Sequence, residues 1–362
     1  MRVYLILSLV VLLVEAGRGD ELAEQAELLK QCSIRAEQLK PLILDTPLVE
    51  ENQPRAILCH ADDPAWRDAA LLVQKAVRET TGVELPLKTD EALSAEDFAS
   101  NHLVLFGHLE NHRWVARLYH NFYVCLDRGF TGRTGYVLRS VHDPFGNGHN
   151  AILVGGSFAE GAGKAAQAFA ENVRIRAARG NASVGRLLLA RFDPEDCRAQ
   201  VLQPLDGKAK EAAIVEGRRL LFSPGQGRSG ISRLIEAGIA YHRSGDPARA
   251  EVCHDLFLAL EEYYRTDPYI NEGGMGRYDR DFRDAFTYQV AIVWDLVEES
   301  GLFSDPERLA ITNLLVRLAL ECMVYQRWNT PAAVKRWEAN EDIVHNHLTF
   351  PALSVYFVGQ YL

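Results

Sequence analysis

An amide and an imidazole stand side by side near the end of the sequence, at Asn346 and His347. An amide N–H can hold a carboxylate and help neutralise the enolate that develops when a proton leaves the adjacent carbon. A neutral imidazole can accept that proton. If Pro351 lies in the first turn of a helix, the pair precedes a helix N-terminus, whose positive end favours an acidic group. The dipeptide therefore predicts proton abstraction next to a carboxylate, as on an acidic sugar.

Basic and aromatic residues that could hold neighbouring sugars lie in two segments. The segment 271–280 contains three glycines, which let the backbone approach a ligand closely, together with Arg277, Tyr278 and Arg280. The planar fork of arginine suits a uronate or a sulfate. Trp337 belongs to a second basic and aromatic segment, and a Trp face can stack on a sugar ring. These four residues are the predicted substrate-binding residues.

Paired carboxylates offer a competing reaction, in which one acid and one base hydrolyse a glycosidic bond. Asp281 with Asp284, and Glu341 with Asp342, are the candidate pairs. A third hypothesis is a protein that binds glycans without turnover. Products with or without a new double bond distinguish the first two alternatives, and the absence of any product favours the third.

A metal site is a further alternative at the same place. In an extended segment His345 and His347 would share a face, and Glu341 or Asp342 could complete a ligand set. On a helix the two imidazoles would point to opposite sides, which is poor geometry for zinc. Elimination itself requires neither a cofactor nor a metal, so none is predicted.

The glycine-rich segment 155–164 resembles a phosphate-binding loop but lacks two of its residues. Phe158 occupies the position of the first glycine of a GxxxxGK loop, and Ala165 replaces the serine or threonine after the lysine. A tight turn from a strand into a helix is the better interpretation.

Strands alternate with helices in the first half of the sequence. Short apolar runs predict strands at 56–59, 102–107, 135–139, 151–156 and 186–190. Helices are predicted at 63–80, around 114–118 and at 159–175. Residues 51–200 therefore form a predicted α/β domain, a sheet covered by helices. Residues 20–50 are predicted to be a helical lead-in, with one amphipathic helix over 21–45.

Beyond residue 205 the strand signals disappear. Helical periodicity covers 208–222, 229–243, 247–265, 281–299, 306–327 and 331–339, and a last helix is predicted from Pro351. Asp246 and Asp305 each precede a proline, which is the pattern of a cap followed by the first turn. Short connections favour antiparallel neighbours. Residues 205–362 are thus predicted to be the first part of an (α/α) toroid, incomplete at the C-terminus, in an α+β multidomain protein.

The charge balance argues against a nucleic-acid partner. The formal net charge is -10, whereas phosphates require a basic surface. Hydrophobic residues make up 48% and charged residues 24%, as is typical of a soluble globular protein, and 362 residues allow two domains.

The first 19 residues are predicted to be a signal peptide. Arg2 precedes an uncharged run over 3–14, and small residues follow. This run is too short to span a bilayer but fits a signal-peptide core, so the mature protein is predicted to be secreted or periplasmic without a membrane span. The six cysteines are widely spaced, which leaves one or two disulfides open.

The helical half resembles polysaccharide lyases of the heparinase II/III and alginate-lyase type. The likeness rests on the helical array, on the segment 286–298 followed by Ser304-Asp305, and on Asn346-His347. It covers roughly residues 205–362. The first half is similar to the non-catalytic α/β accessory domain that precedes the catalytic domain of α-glucuronidases and hexosaminidases.

The resemblance implies roles for particular residues. In these lyases the asparagine neutralises the uronate carboxylate and the histidine acts as a base, which implies the same roles for Asn346 and His347. A tyrosine on a later helix supplies the acid and a β-sandwich follows, so the sequence is expected to continue beyond Leu362. The resemblance predicts a carbon–oxygen lyase acting by β-elimination on an acidic polysaccharide. The polymer, its sulfation and the oligomeric state are left open.

Overall fold

The computed structural model describes residues 35–197, 202–223, 225–266, 279–325 and 346–362; among these, the side chains of 279–285, 323–325 and 346–348 are left out. The described part is mixed α/β, with ten α-helices and two sheets. Its contacts define an α/β unit (residues 41–203 and 242–245) and a helical unit (described residues of 1–40, 204–241 and 246–362). The α/β unit begins ten residues before the predicted boundary at 51.

Nine strands form the two sheets of the α/β unit. They are β1 Thr46–Glu50, β2 Gln53–Pro54, β3 Ala56–His60, β4 Leu87–Thr89, β5 His102–Phe106, β6 Tyr136–Val141, β7 Ala151–Gly156, β8 Ala182–Val184 and β9 Leu188–Arg191. The larger sheet has the order β4-β3-β5-β7-β6-β9, in which β3, β4, β5 and β7 pair in parallel and β6 is antiparallel to both its neighbours, β7 and β9. The smaller sheet, β2-β1-β8, is antiparallel.

Helices cover both faces of the larger sheet. They are α1 Pro64–Thr81, α2 Ala95–Ser100, α3 Arg113–His120 and α4 Ala159–Arg176. Along β5, Val104 and Phe106 join the apolar core formed with α1 and α4, whereas Leu103 and Leu105 join the core on the other face, formed with α2 and α3. Since successive side chains of a strand point to opposite faces, a strand buried on both sides reads as an unbroken apolar run.

Local chemistry fixes the ends of α1 and α2. The Asp63 carboxylate accepts the N–H of Ala65 and Pro64 is the first helical residue, while Gly82 ends the helix with φ 82°. Ser94 and Asp97 form a capping box at the start of α2. The predicted beginning of α1 at Asp63-Pro64 is therefore correct to within one residue.

The glycine-rich segment 155–164 brings α4 close to the sheet. A Cβ on Gly156 would lie 2.6 Å from the carbonyl carbon of Gly161, and a Cβ on Gly161 would lie 2.1 Å from the carbonyl oxygen of Gly135. Backbone atoms occupy these positions, so only glycine fits there. The segment has a packing role, in agreement with its interpretation as a strand-to-helix turn.

Replacing Gly161 by alanine should destabilise the α/β unit by about 1–3 kcal/mol, because the new methyl group overlaps a carbonyl oxygen that cannot move alone. Gly163 on the same helix is the matched control, since a Cβ there meets nothing within 4 Å. Gly163→Ala should be neutral or stabilise by up to about 1 kcal/mol, as alanine favours helix over glycine. The stability of the α/β unit in both variants is measured by hydrogen exchange of the backbone amides in β5 and β7. Equal protection in the two variants would contradict this packing role.

The helical unit contains the other six helices. They are α5 Gly207–Phe222, α6 Gly227–Ser244 (except its last three residues), α7 Pro247–Thr266, α8 Asp279–Val297, α9 Asp305–Tyr325 and α10 Asn346–Tyr361. Helix α5 packs on α7, α7 on α9, and α8, α9 and α10 pack on one another. The predicted helix at 331–339 lies outside the described residues.

One of the two predicted caps differs in detail. Asp246 does precede α7, and its carboxylate accepts the N–H groups of Ala248 and Leu205. Asp305, by contrast, is the first residue of α9, and Ser304 before it donates its backbone N–H and its hydroxyl to Glu307. In the sequence Ser-Asp-Pro-Glu the acidic residue of the first turn reaches back to the residue before the helix, which is one half of a capping box.

Helix α8 is buried more completely than the sequence predicted. A single apolar face through Phe286, Gln289, Val293 and Leu296 was expected, yet Phe286 and Gln289 are half-buried and residues 293–299 are all buried. Trp294 is fully buried on another side. A helix that is apolar all round lies inside its domain, which makes the C-terminal half of α8 the centre of the helical unit.

The predicted lead-in is wrong where the structure describes it. Residues 35–45 contain no helix and 46–50 form β1; residues 21–34 lie outside the described part. The segment 35–40 is held by specific contacts: the Asn313 amide accepts the N–H of Ala36 and donates to its carbonyl. Tertiary contacts thus outweigh the helical periodicity of this segment.

Two further expectations can be compared with the described residues. None of the described helices combines the length and apolarity needed to span a bilayer. The signal segment lies outside the described part. The five described cysteines are free thiols: Cys59, Cys125, Cys197, Cys253 and Cys322.

Candidate functional site

Asn346 and His347 are the first two residues of α10 as the structure describes it. The prediction that they precede the helix, with Pro351 in its first turn, is wrong: Pro351 lies inside α10. A proline in this position cannot donate to the carbonyl of His347, four residues earlier. The pair lies in the first described turn of α10, one turn before Phe350.

An aromatic pair fixes α10 against α8 one turn beyond Asn346. The rings of Phe350 and Tyr288 stack with centroids 5.8 Å apart and planes inclined by 8°. The Tyr288 hydroxyl accepts a hydrogen bond from the Gln289 amide at 2.8 Å, and all three side chains are only half-buried. Since residues four apart on a helix occupy adjacent turns of the same face, position 346 lies on the Phe350 side of α10. The stack therefore places a phenol beside the helix face that includes Asn346.

The other end of α10 is anchored in the interior of the helical unit. The hydroxyls of Tyr361 and Thr312 lie 2.9 Å apart and are hydrogen-bonded, and the Lys40 ammonium lies 4.7 Å from the centre of the Tyr361 ring. Burial raises the pKa of Tyr361, so this phenol stays neutral. Anchoring this end of α10 restricts where the rest of the helix can lie.

Four charged residues beneath this anchor form two buried ion pairs. Arg308 Nε lies 2.9 Å from Glu298 Oε1, and Lys40 Nζ lies 2.6 Å from Asp295 Oδ1. Arg308 also donates to the Lys40 carbonyl at 2.9 Å, which links the pairs. The Glu298 side chain is fully buried, and its Oε2 finds no hydrogen-bond partner within the part of the chain that the structure describes. Burial raises the pKa of Glu298, whereas the nearby Arg308 and Lys40 charges oppose that shift.

Most of the other predicted site residues lie outside the residues that the structure describes. Arg277, Tyr278 and Trp337 are outside the described residues, as are His345, Glu341 and Asp342 of the metal alternative. Arg280, Asp281 and Asp284 belong to α8, but their side chains are left out. The structure thus gives a backbone position to Asn346, His347 and Arg280 among the six predicted site residues, and describes none of their side chains.

Sequence reasoning does not single out Tyr288 as a candidate site residue. It lies in the segment 286–298 on which the family resemblance rests, yet within an apolar helix a single tyrosine resembles any other core aromatic residue. The signal that could have identified it is the polar side chain of Gln289 next to it, at the point where α8 changes from half-buried to buried. No sequence pattern indicates the Glu298–Arg308 ion pair, because Glu298 follows α8 whereas Arg308 belongs to α9.

No protein-family model and no curated protein sequence matches this chain.

Proposed function

We propose that the helical unit cleaves a uronate-containing polysaccharide by β-elimination. Asn346 binds the uronate carboxylate and His347 removes the proton from C5. The observation that carries this proposal is the place of the pair on α10, one turn before Phe350, whose ring stacks on Tyr288. A side-chain amide can stabilise the enolate that forms from a carboxylate, and a neutral imidazole can take the proton.

Tyr288 is the proposed proton donor of the same reaction. As His347 takes the C5 proton, the electron pair forms the C4–C5 double bond, the C4–oxygen bond breaks, and the leaving oxygen takes a proton from the phenol. The Tyr288 hydroxyl already accepts an N–H from Gln289, so its own hydrogen is available to donate. No metal or cofactor enters these steps, and a second proton transfer from His347 restores the phenol.

The proposed reaction is accompanied by proposals for the helical architecture, for the residues that bind neighbouring sugars and for export. The six helices of the helical unit are proposed to be the first part of an (α/α) toroid, whose groove holds the polymer. Arg277, Tyr278, Arg280 and Trp337 are proposed to bind flanking sugars, and export by the N-terminal segment would bring the enzyme to an extracellular polymer. The packing of α8 against both α9 and α10 supports an arrangement of neighbouring helical hairpins.

The test is the formation of an unsaturated uronate from a panel of uronate polymers by the full natural chain, followed through the absorbance of the new double bond. His347→Ala and Asn346→Ala should each lower the rate about a hundredfold, since each removes a group that acts in the transition state. His345→Ala is the control and should retain most of the activity.

Three results would argue against the proposal in different ways. Sugar products without a double bond would indicate hydrolysis. Loss of activity in His345→Ala and on addition of a chelator would indicate the metal alternative. No product from any uronate polymer would remove the support for elimination.

A further inference from the structure

Helix α3 of the α/β unit presents a row of basic side chains to solvent. Arg113, Arg117 and His120 follow one another at helical spacing, and all three are exposed. Residues three and four apart lie on the same side of a helix, so the three form one stripe. The stripe is a local basic region on a chain whose formal net charge is -10. A ligand responds to this local potential and not to the net charge.

Three half-buried aromatic rings border this stripe. Phe98 and Trp114 are stacked with centroids 4.8 Å apart, and Phe145 lies 4.3 Å from Phe98. The Arg117 guanidinium lies 4.8 Å from the centre of the Phe145 ring and 5.9 Å from Trp114. The rings come from α2, α3 and the loop between β6 and β7, which converge here. Together these residues form what we call the α3 patch: Phe98, Arg113, Trp114, Arg117, His120 and Phe145.

The loop that carries Phe145 is held in one conformation. The Asp143 carboxylate accepts the N–H groups of Asn147 at 2.7 Å and Gly148 at 2.8 Å, and Asp143 itself has a positive φ of 37°. The Asn147 amide donates to the Phe98 carbonyl at 2.7 Å, which ties the loop to α2. A surface that is already rigid loses little entropy when it binds a ligand.

The Arg117 guanidinium has unused donors. Within the described part of the chain no carboxylate or carbonyl accepts from it, while Arg113 donates to the carbonyls of Glu91 and Leu93. Nearby carboxylates already have partners: Asp97 pairs with Lys88 at 2.6 Å and Asp143 holds the loop. An arginine stacked on a ring, with its N–H fork open, is well placed to bind a carboxylate with two hydrogen bonds.

We propose that the α3 patch is a binding site for an acidic oligosaccharide, separate from the residues proposed to perform elimination. The rings offer apolar faces for the C–H surface of sugar residues, and Arg117 binds a uronate carboxylate. The choice of a uronate rests on the proposed function, whereas the patch itself rests on the contacts above. An α/β unit with this site would hold the polymer while the helical unit acts on it.

The test uses the full chain carrying Asn346→Ala and His347→Ala, which removes both turnover and carboxylate binding by that pair. Binding of a galacturonate hexamer is measured by isothermal titration at low salt. Adding Arg117→Met should weaken binding about tenfold, because methionine keeps the apolar stem and removes the charged donors. Phe145→Leu keeps an apolar side chain without the ring face and should weaken binding several-fold.

The control is Arg174→Met on α4, which packs on the opposite face of the sheet and is exposed. It removes the same charge and should leave binding unchanged. Equal effects of Arg117→Met and Arg174→Met would overturn the proposal, as would equal binding of the neutral hexamer of glucose. Tighter binding of a single-stranded DNA oligonucleotide would reassign the patch to a nucleic acid. Failure to detect any lyase product leaves this measurement unaffected, so the two proposals can fail separately.

Discussion

Replacing Arg308 by methionine should lower the free energy of unfolding by about 3–5 kcal/mol, because the substitution leaves the Glu298 carboxylate buried without its ion-pair partner. The Glu298 side chain is fully buried, and among the described residues Arg308 alone is hydrogen-bonded to its Oε1. Lys40, which is paired with Asp295, is too engaged to replace Arg308. Chemical denaturation followed by the fluorescence of the buried Trp294 reports the change.

A second substitution tests the cause of this loss. Glu298→Gln in the Arg308→Met background removes the stranded charge and should recover more than half of the lost stability. Arg219, which pairs with Glu216 on the exposed surface of α5, is the matched control. Its replacement by methionine should leave the free energy of unfolding nearly unchanged, since exposed ion pairs contribute little. An equal loss of unfolding free energy in Arg308→Met and Arg219→Met would show that the buried ion pair stabilises the fold no more than an exposed one does.

Lowering the pH from about 7.5 to about 5 should destabilise the α/β unit by roughly 4 kcal/mol, shared between two buried imidazoles. Burial lowers the pKa of His102 to about 4, and burial also lowers the pKa of His112 to about 4. In the unfolded chain both imidazoles become protonated near pH 6.5, whereas in the folded chain they become protonated only near pH 4. Stability is therefore fully present above pH 6.5 and is lost as the pH falls toward 4.

The hydrogen bonds of the two rings give the physical reason. Nδ1 of His102 accepts the N–H of Asn150 at 2.8 Å, and Nδ1 of His112 accepts the N–H of Trp114 at 3.2 Å at the start of α3. A protonated nitrogen can no longer accept, so protonation breaks both bonds. His102→Asn retains an acceptor without a titrating group and should reduce the pH dependence by about half. The exposed His120→Asn is the control, and an unchanged pH dependence in His102→Asn would contradict this explanation.

The sequence predicted those elements whose ends carry their own chemistry. Asp63-Pro64 marks α1, and the unbroken apolar run at 103–106 marks β5, because caps and doubly buried strands leave local signals. The smaller sheet was missed, since β2 has two residues and β8 three, which is too short for a periodic pattern. The segment 35–45 was misassigned because its conformation depends on contacts with α9, which are distant in sequence.

The candidate site was predictable only in part. Asn346 and His347 attracted attention as residue types, but their position inside α10 depends on a helix that runs through Pro351 against the usual rule. Tyr288 becomes a candidate only through its stack with Phe350, a contact 62 positions along the chain. Local pattern reveals which residues could react, whereas packing decides which of them meet.

The antiparallel pairing of β1 with β8 ties the first strand of the α/β unit to its second-last strand. Thr46 lies opposite Val184, and only β9 follows β8 before the main stretch of the unit ends at residue 203. Because the pairing connects an early and a late segment, neither segment can open locally without breaking hydrogen bonds to the other.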